Sequence, residues 1–277
     1  MSLIYDFAGS VLPFAWADYK FMINALVAVV LIAPLMGILG TMAVNNKMAF
    51  FSDALGHSAF TGIALGVLLG IENELISLIA FGIFVALIIT RLKNKGNASS
   101  DTVISVFSST SVAVGLLVLS YGGSFSKYSS YLVGDILSIT SKEILWLLIT
   151  LISVVVLWVF IYNKLLVISV NRELAASRGI KTSLYENIFV IVVAVVVMLS
   201  IKWVGILLIN SLLILPAASA RNIAKNSRQY LGVSVALSVI CAVSGLLISF
   251  YADTSAGATI VTISAVVYFI TYLLRKK

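Results

Sequence analysis

Asp53 and His57 are the side chains in this sequence whose types and spacing best suit a chemical role. His57 is the only histidine among the 277 residues, and it follows the aspartate by four positions. On an α-helix, residues four apart project from the same face, about 5–6 Å apart at Cβ. A carboxylate and an imidazole placed in this way predict a pair of ligands for a metal ion or a proton.

The segment that carries this pair, residues 52–66, is otherwise apolar or small, and it is predicted to lie in a lipid bilayer. An aspartate at the centre of a membrane-spanning helix costs about 2.5–3.5 kcal/mol, so such residues usually face the protein interior and a transport pathway. The alternative is that Asp53 marks a helix start near the cytoplasmic surface and His57 is a packed polar residue. Gly62 and Gly66 favour burial of this helix against other helices.

The composition indicates that membrane helices must position the pair. Hydrophobic residues make up 61% of the chain and charged residues 10%, which is more apolar surface than a soluble domain buries. We predict an all-α, polytopic membrane protein with nine crossings, near residues 21–44, 50–70, 75–92, 102–120, 142–162, 185–201, 204–220, 230–250 and 257–274. Because Lys202-Trp203 separates two of these runs, eight crossings plus a re-entrant piece is the alternative. Asn210 and Ser211 can hydrogen-bond to a neighbouring helix.

The Lys and Arg residues predict an orientation with the N-terminus outside and the C-terminus inside. The inner side then holds 14 of the 18 basic residues, namely Lys47, Arg91, Lys93, Lys95, Lys164, Arg172, Arg178, Lys181, Arg221, Lys225, Arg228, Arg275, Lys276 and Lys277. This basic surface suits anionic lipid, so the net charge of +7 predicts contact with a bilayer rather than with nucleic acid. Residues 1–20 are predicted to be an interfacial segment at the outer surface.

The depth of the pair follows from this orientation. Lys47 is expected near the inner surface of the membrane. At about 1.5 Å per residue, Asp53 lies about 9 Å deeper and His57 about 15 Å deeper. His57 is therefore expected near the midplane of a hydrocarbon core about 30 Å thick, where transporters typically bind their substrates.

Two connections between the predicted crossings carry further features. The outer stretch Tyr121–Ser141 is predicted to be a docking loop or a short re-entrant helix, with an ordinary loop as the alternative. On the inner side, residues 171–180 are predicted to form a short helix with Asn171 as N-cap and Gly179 at C′. This helix suggests a partner surface, and a helix lying on lipid is the alternative. No phosphate-binding loop is present in the sequence, so we expect a transporter subunit rather than an ATP-hydrolysing enzyme.

Three patterns are specific when they are taken together. They are Met-x-x-x-Ser-Asp-Ala-Leu-Gly-His-Ser-Ala at 48–59, Leu-Leu-Ile-Leu-Pro-Ala-Ala-Ser-Ala-Arg at 212–221, and Glu173-Leu174-Ala175 followed by Gly179-Ile180. Through them the chain, from about Phe21 to Leu274, resembles the permease subunits of ABC importers for zinc and manganese. The resemblance implies the ABC importer permease fold in a single transmembrane permease domain, residues 1–277.

The resemblance also implies partners and site residues. The partners are a second copy of the permease, two cytoplasmic ABC ATPase subunits and an extracytoplasmic metal-binding protein, assembled in the bacterial cytoplasmic membrane. Asp53 and His57 match metal-binding positions in the translocation path, and the residues that match the ATPase-coupling helix are Arg172, Glu173, Leu174, Arg178 and Gly179. Three acidic residues, which we call the outer acids, are expected to dock the binding protein or guide cations; they are Asp135, Glu143 and Asp253.

A two-fold dimer brings two copies of the same helix face together. Two Asp53 and two His57 side chains then form a tetrahedral set of four ligands, which suits Zn²⁺, whereas Mn²⁺ prefers more oxygen ligands. We therefore expect a transported ion, Zn²⁺ first and Mn²⁺ next, and no permanently bound cofactor. The alternative, from a different class, is a proton-coupled secondary metal transporter, which needs neither the coupling helix nor an ATPase.

Overall fold

The computed structural model describes residues 15–71, 73–95, 99–121 and 130–275. Its helices are α1 Lys20–Asn45, α2 Phe51–Leu68, α3 Glu74–Lys95, α4 Ser100–Tyr121, α5 Ser130–Val133, α6 Ser141–Val170, α7 Arg172–Ser177, α8 Thr182–Val204, α9 Ile206–Ile223, α10 Ser227–Ala252 and α11 Ala256–Leu273. Short 3-10 turns are at Ala15–Asp18 and Ile136–Ser138. The predicted all-α class is confirmed. Most of the predicted interfacial segment, residues 1–14, lies outside the described residues, as do residues 122–129 of the predicted docking stretch.

Within the described residues, each of the nine predicted apolar runs coincides with a helix. Seven of these helices are long and apolar enough to cross a membrane; they are α1, α3, α4, α6, α8, α10 and α11. The apolar part of α9 is shorter, Leu208–Ile223, and α2 has only 18 residues, with Asp53 and His57 among them. The break between α8 and α9 was misplaced by the prediction. Lys202 and Trp203 lie inside α8, and the chain turns at Gly205, where φ is 89°.

One compact unit contains α2 to α5, the second half of α6, α7 and α8, and it comprises Met42–Val133 and Val154–Asn210. Helix α2 is its most enclosed element, because 13 of its 18 residues are buried. Gly115 of α4 lets that helix cross α2 closely, since a Cβ at this position would lie 2.6 Å from the Thr61 backbone nitrogen. At Gly62 of α2, a Cβ would likewise lie 3.2 Å from the Phe81 Cβ of α3. The predicted burial of α2 against other helices is confirmed.

The other compact unit is formed by the described parts of Met1–Thr41, Gly134–Ser153 and Ser211–Lys277. Here α1 and α10 are joined by hydroxyl groups: Ser234 donates to the Gly37 carbonyl at 2.8 Å and Ser238 to the Ala33 carbonyl at 2.7 Å. At Gly245 of α10, a Cβ would lie 2.6 Å from the Ile260 Cα of α11. Small residues and serine hydroxyls therefore allow close helix packing in this unit.

Candidate metal site

Helix α2 begins two residues before the first ligand of the predicted pair. The Phe51 N–H donates to the Met48 carbonyl at 3.1 Å, and the N-cap residue, Phe50, contributes no side-chain cap. Asp53 therefore lies in the first turn of the helix rather than at its N-cap. A carboxylate in this turn interacts favourably with the positive end of the helix dipole.

Asp53 and His57 meet on one face of α2, as the spacing predicts. His57 Nε2 lies 3.6 Å from Asp53 Oδ1, and the two side chains are 27% and 38% exposed, respectively. Between residues 51 and 66, Asp53, His57 and Leu65 are the residues that are not buried. The pair thus occupies the open strip of an otherwise enclosed helix, and His57 is not packed in the core.

The orientation of this strip is fixed by contacts on a neighbouring face of α2. The Ser52 hydroxyl donates to Asn210 Oδ1 at 2.6 Å, which confirms the predicted interhelical hydrogen bond of Asn210. A Cβ at Gly56 would lie 3.2 Å from the Ile206 side chain, so the start of α9 lies directly against α2. These contacts fix the rotation of the first turns of α2 and, with it, the direction of Asp53.

Among the residues that the structure describes, Asp53 and His57 do not by themselves complete a metal site. The described residues contain no group of three or more His, Cys, Asp or Glu side chains that could hold a metal ion. A carboxylate and an imidazole give two of the four ligands that a tetrahedral Zn²⁺ site uses. A metal ion held by this pair would need further ligands from outside it.

The predicted coupling segment forms a short, capped helix, α7. Asn171 Oδ1 accepts from the Leu174 N–H at 2.9 Å, which confirms the predicted N-cap. At the other end, the N–H groups of Gly179 and Ile180 donate to the carbonyls of Ala176 at 2.9 Å and Ala175 at 3.1 Å. This is a Schellman motif, and Gly179 has the positive φ of 76° that the motif requires.

The five residues predicted to couple to the ATPase are exposed on or beside α7; they are Arg172, Glu173, Leu174, Arg178 and Gly179. In this helix Ala175 is buried. Arg172 Nη2 lies 3.2 Å from Glu186 Oε2 of α8. Sequence reasoning missed Glu186, although an acidic residue at the start of a membrane helix, beside a basic connection, was a signal that could have drawn attention to it.

Comparison with known proteins decides the family. The sequence profile of the ABC 3 transport family matches residues 18–275. The chain belongs to the ABC 3 transport family.

Relatives of this ABC 3 family chain include two components of metal uptake systems. It is 30% identical to the high-affinity zinc uptake system membrane protein ZnuB of Haemophilus influenzae, over 94% of this chain and 99% of that protein. It is 31% identical to the manganese import system permease protein ScaB of Streptococcus gordonii, over 94% of this chain and 93% of that one.

A solved structure has the same fold. PsaBC from Streptococcus pneumoniae, in complex with Fab, superposes with a TM-score of 0.80 at 26% sequence identity, over 97% of this chain and 95% of that chain. The chain is therefore a multi-pass membrane permease subunit of the ABC type. These comparisons give no support to the alternative of a proton-coupled secondary transporter.

The outer acids of this ABC 3 family permease make local hydrogen bonds. Asp135 Oδ1 accepts from the Leu137 N–H at 3.1 Å. Glu143 Oε2 accepts from the Thr140 N–H at 2.8 Å, and the Thr140 hydroxyl lies 3.4 Å from the Glu143 nitrogen. This is a capping box at the start of α6. Asp253 ends α10 in the left-handed conformation, with φ at 50°. The side chains of Asp135 and Glu143 are therefore engaged at a turn and at a helix start, and Asp253 contributes its backbone at the end of α10.

Proposed function

We propose that this chain is the membrane subunit of an ATP-driven importer of a divalent metal ion, with Zn²⁺ favoured and Mn²⁺ next, and that the ion passes Asp53 and His57. The observation that carries the proposal is the position of the pair. Its carboxylate and imidazole lie 3.6 Å apart on a partly exposed strip of a helix in which 13 of 18 residues are buried. Relatives at about equal identity handle zinc and manganese, so the choice of Zn²⁺ rests on the ligand types.

The complete site requires a second copy of the chain. A two-fold axis beside the open strip of α2 brings two carboxylates and two imidazoles together, the number and kind of ligands that tetrahedral Zn²⁺ accepts. Mn²⁺ would add water or carbonyl oxygens. A transport site must also release its ion, and a set shared by two chains can be opened by moving one chain relative to the other.

The other partners follow from the same assignment. Two cytoplasmic ABC ATPase subunits hydrolyse ATP and engage α7, and an extracytoplasmic metal-binding protein delivers the ion to the outer side, where the outer acids dock it or guide cations. In this arrangement the N-terminus is outside, the C-terminus is inside, and the whole chain acts as a single permease domain in the bacterial cytoplasmic membrane.

Simultaneous charge reversal at Arg172 and Glu173 is expected to abolish stimulation of the ATPase and to leave the permease dimer intact. Normal stimulation in that variant would contradict the coupling role of α7.

Uptake of labelled Zn²⁺ and Mn²⁺ by cells that carry the complete importer tests the assignment of the ion path. His57→Ala is compared with Leu65→Ala, which alters another partly exposed side chain of the same helix without removing a ligand atom. We expect His57→Ala to abolish uptake while Leu65→Ala retains most of it, with both variants inserted and assembled normally. Wild-type uptake in His57→Ala would return His57 to a packing role.

A further inference from the structure

A single carboxylate oxygen joins the coupling helix to two long helices. Glu186 Oε2 of α8 lies 3.2 Å from Arg172 Nη2, at the first position of α7. The same oxygen accepts a hydrogen bond from Asn94 Nδ2, near the end of α3, at 2.8 Å. The Glu186 side chain is only 19% exposed, so solvent screens these contacts less than it would at an open surface. The ends of α3, α7 and α8 therefore meet at one atom.

The preceding residue of α3, Lys93, continues the chain of contacts. Lys93 Nζ donates to the Asn46 backbone carbonyl at 3.2 Å. Asn46 follows the last residue of α1, and Lys47 after it has a positive φ of 55°. The Met48 N–H then donates back to the Ala43 carbonyl at 2.9 Å, which completes a Schellman motif. The segment that Lys93 contacts is thus a tight, hydrogen-bonded turn.

That turn leads directly into the helix of the metal pair. The Met48 carbonyl accepts the Phe51 N–H at 3.1 Å, Phe51 is the first residue of α2, and Asp53 lies two residues further along. A shift of α7 can therefore reach Asp53 through contacts that all lie in one compact unit. Hydrogen bonds to charged groups are roughly twice as strong as neutral ones, which suits them to transmit a displacement rather than to yield to it.

We propose that Glu186 is a positioning residue of the transport cycle, which transmits movement of α7, through Asn94 and Lys93, to the Asn46–Phe50 turn and so to the Asp53–His57 pair. This inference rests on the proposed function, because it assumes that an ATPase moves α7 and that the ion passes the pair. It adds the internal connection between the two, which neither α7 nor α2 supplies by itself. Loss of the Glu186 charge should leave both ends intact and weaken their coupling.

The test measures labelled Zn²⁺ or Mn²⁺ imported per ATP hydrolysed by the complete importer in proteoliposomes. The variants are Glu186→Gln, which keeps the shape and an oxygen for Asn94, Arg172→Gln and the double variant. Arg228→Gln is the matched control, since Arg228 is an exposed arginine in the first turn of α10. We expect Glu186→Gln to lower the ratio about 3- to 30-fold, the range that coupling networks usually span, with ATP hydrolysis retained. The double variant should be no worse than the more severe single variant, and Arg228→Gln should match the wild type.

The outcomes separate the inference from the function on which it rests. A wild-type ratio in Glu186→Gln, or effects of the two single variants that simply multiply in the double variant, would overturn the role of Glu186. If Glu186→Gln fails to assemble, the exposed Arg172→Gln variant decides, and an unchanged ratio there overturns the inference as well. Import that is lost in His57→Ala while Glu186→Gln behaves as wild type would leave the proposed function standing. A wild-type importer that moves neither ion would contradict the function itself.

Discussion

Asp135 and Glu143, two of the outer acids, differ from Asp53 in how their carboxylate oxygens are used. Asp135 and Glu143 accept hydrogen bonds from backbone N–H groups within three residues of themselves. Asp53, in contrast, faces His57 from the adjacent turn of the same helix at 3.6 Å, a distance too long for a strong hydrogen bond. A carboxylate engaged in capping stabilises its own helix, whereas a carboxylate that faces another ligand remains available to a cation. The comparison favours ion binding at the pair and local structure at the outer acids.

The largest effect is expected at Asp53. Asp53→Asn keeps the shape of the side chain but removes the charge that attracts a cation, and in a dimer it alters two of four ligands. Since loss of a group that only supports a ligand already costs about 10–100-fold in affinity or activity, we expect the maximal uptake rate to fall by about 100-fold or more. Kinetics of labelled Zn²⁺ uptake, normalised to the assembled transporter, measure this change. A maximal rate within twofold of wild type would show that Asp53 is no more important for ion passage than the outer acids are expected to be.

The packing of α4 against α2, one helical turn beyond His57, gives the next largest effect. Gly115→Ala places a Cβ 2.6 Å from the Thr61 backbone nitrogen, and overpacking of this kind usually costs about 1–3 kcal/mol. Because α4 must then move away from α2, both thermal stability and uptake should decline. Gly232→Ala is the control, since nothing lies within 4 Å of a Cβ there, and as a helix-interior change it should stabilise slightly. Equal melting temperatures for the two variants in lipid nanodiscs would show that the α2–α4 crossing does not constrain the site.

Neutralisation of the outer acids should alter delivery rather than passage. The triple variant Asp135→Asn, Glu143→Gln and Asp253→Asn removes three negative charges but keeps side chains that can still accept hydrogen bonds. We expect the concentration of metal-loaded binding protein needed for half-maximal uptake to rise several-fold, because charges at a docking surface mainly affect encounter. The maximal rate should stay close to wild type. A large fall in the maximal rate with an unchanged half-saturation concentration would place these acids in the ion path. It would then contradict the assignment of ion passage to Asp53 and His57 alone.

The smallest effect is expected at the end of the coupling helix. Gly179 has a φ of 76°, and no atom lies within 4 Å of a Cβ built there, so Gly179→Ala meets backbone strain alone, about 1–2 kcal/mol. Fraying of the last turn of α7 should lower metal-stimulated ATPase activity by a few-fold at most. Gly179→Asn, which tolerates the left-handed conformation better, should lie between Ala and the wild type. The reverse order would mean that the side chain, rather than the backbone, matters at this position.

The sequence was sufficient for features that depend on local periodicity. The apolar runs predicted the long helices, the Asp53–His57 spacing predicted a shared face, and Asn171 and Gly179 predicted both ends of α7. The predicted break before α9, at Lys202-Trp203, is wrong, because a lysine and a tryptophan interrupt the apolar run without ending the helix. The backbone turns at Gly205, whose positive φ of 89° a glycine adopts freely.

Contacts between residues that are far apart in the sequence could not be predicted from local periodicity. Glu186 meets Arg172 and Asn94, and the latter is 92 residues away in sequence, so no spacing rule connects them. The exposed strip of α2 also depends on which helices cover its other faces. The capping box of Thr140 and Glu143 is different, because its Thr-x-x-Glu signature is visible in the sequence. Glu143 was predicted from the sequence only as an acid that docks the binding protein or guides cations.

The stoichiometry of metal binding is the most direct test of an ion site at Asp53 and His57. The assembled importer, with its ATPase subunits and held in lipid nanodiscs without the binding protein, is titrated with Zn²⁺, and bound ions are counted per permease chain in the wild type, His57→Ala and Leu65→Ala. We predict one ion for every two permease chains, lost in His57→Ala and retained in Leu65→Ala. Binding that persists at the wild-type stoichiometry in His57→Ala would contradict the assignment of the ion path to Asp53 and His57.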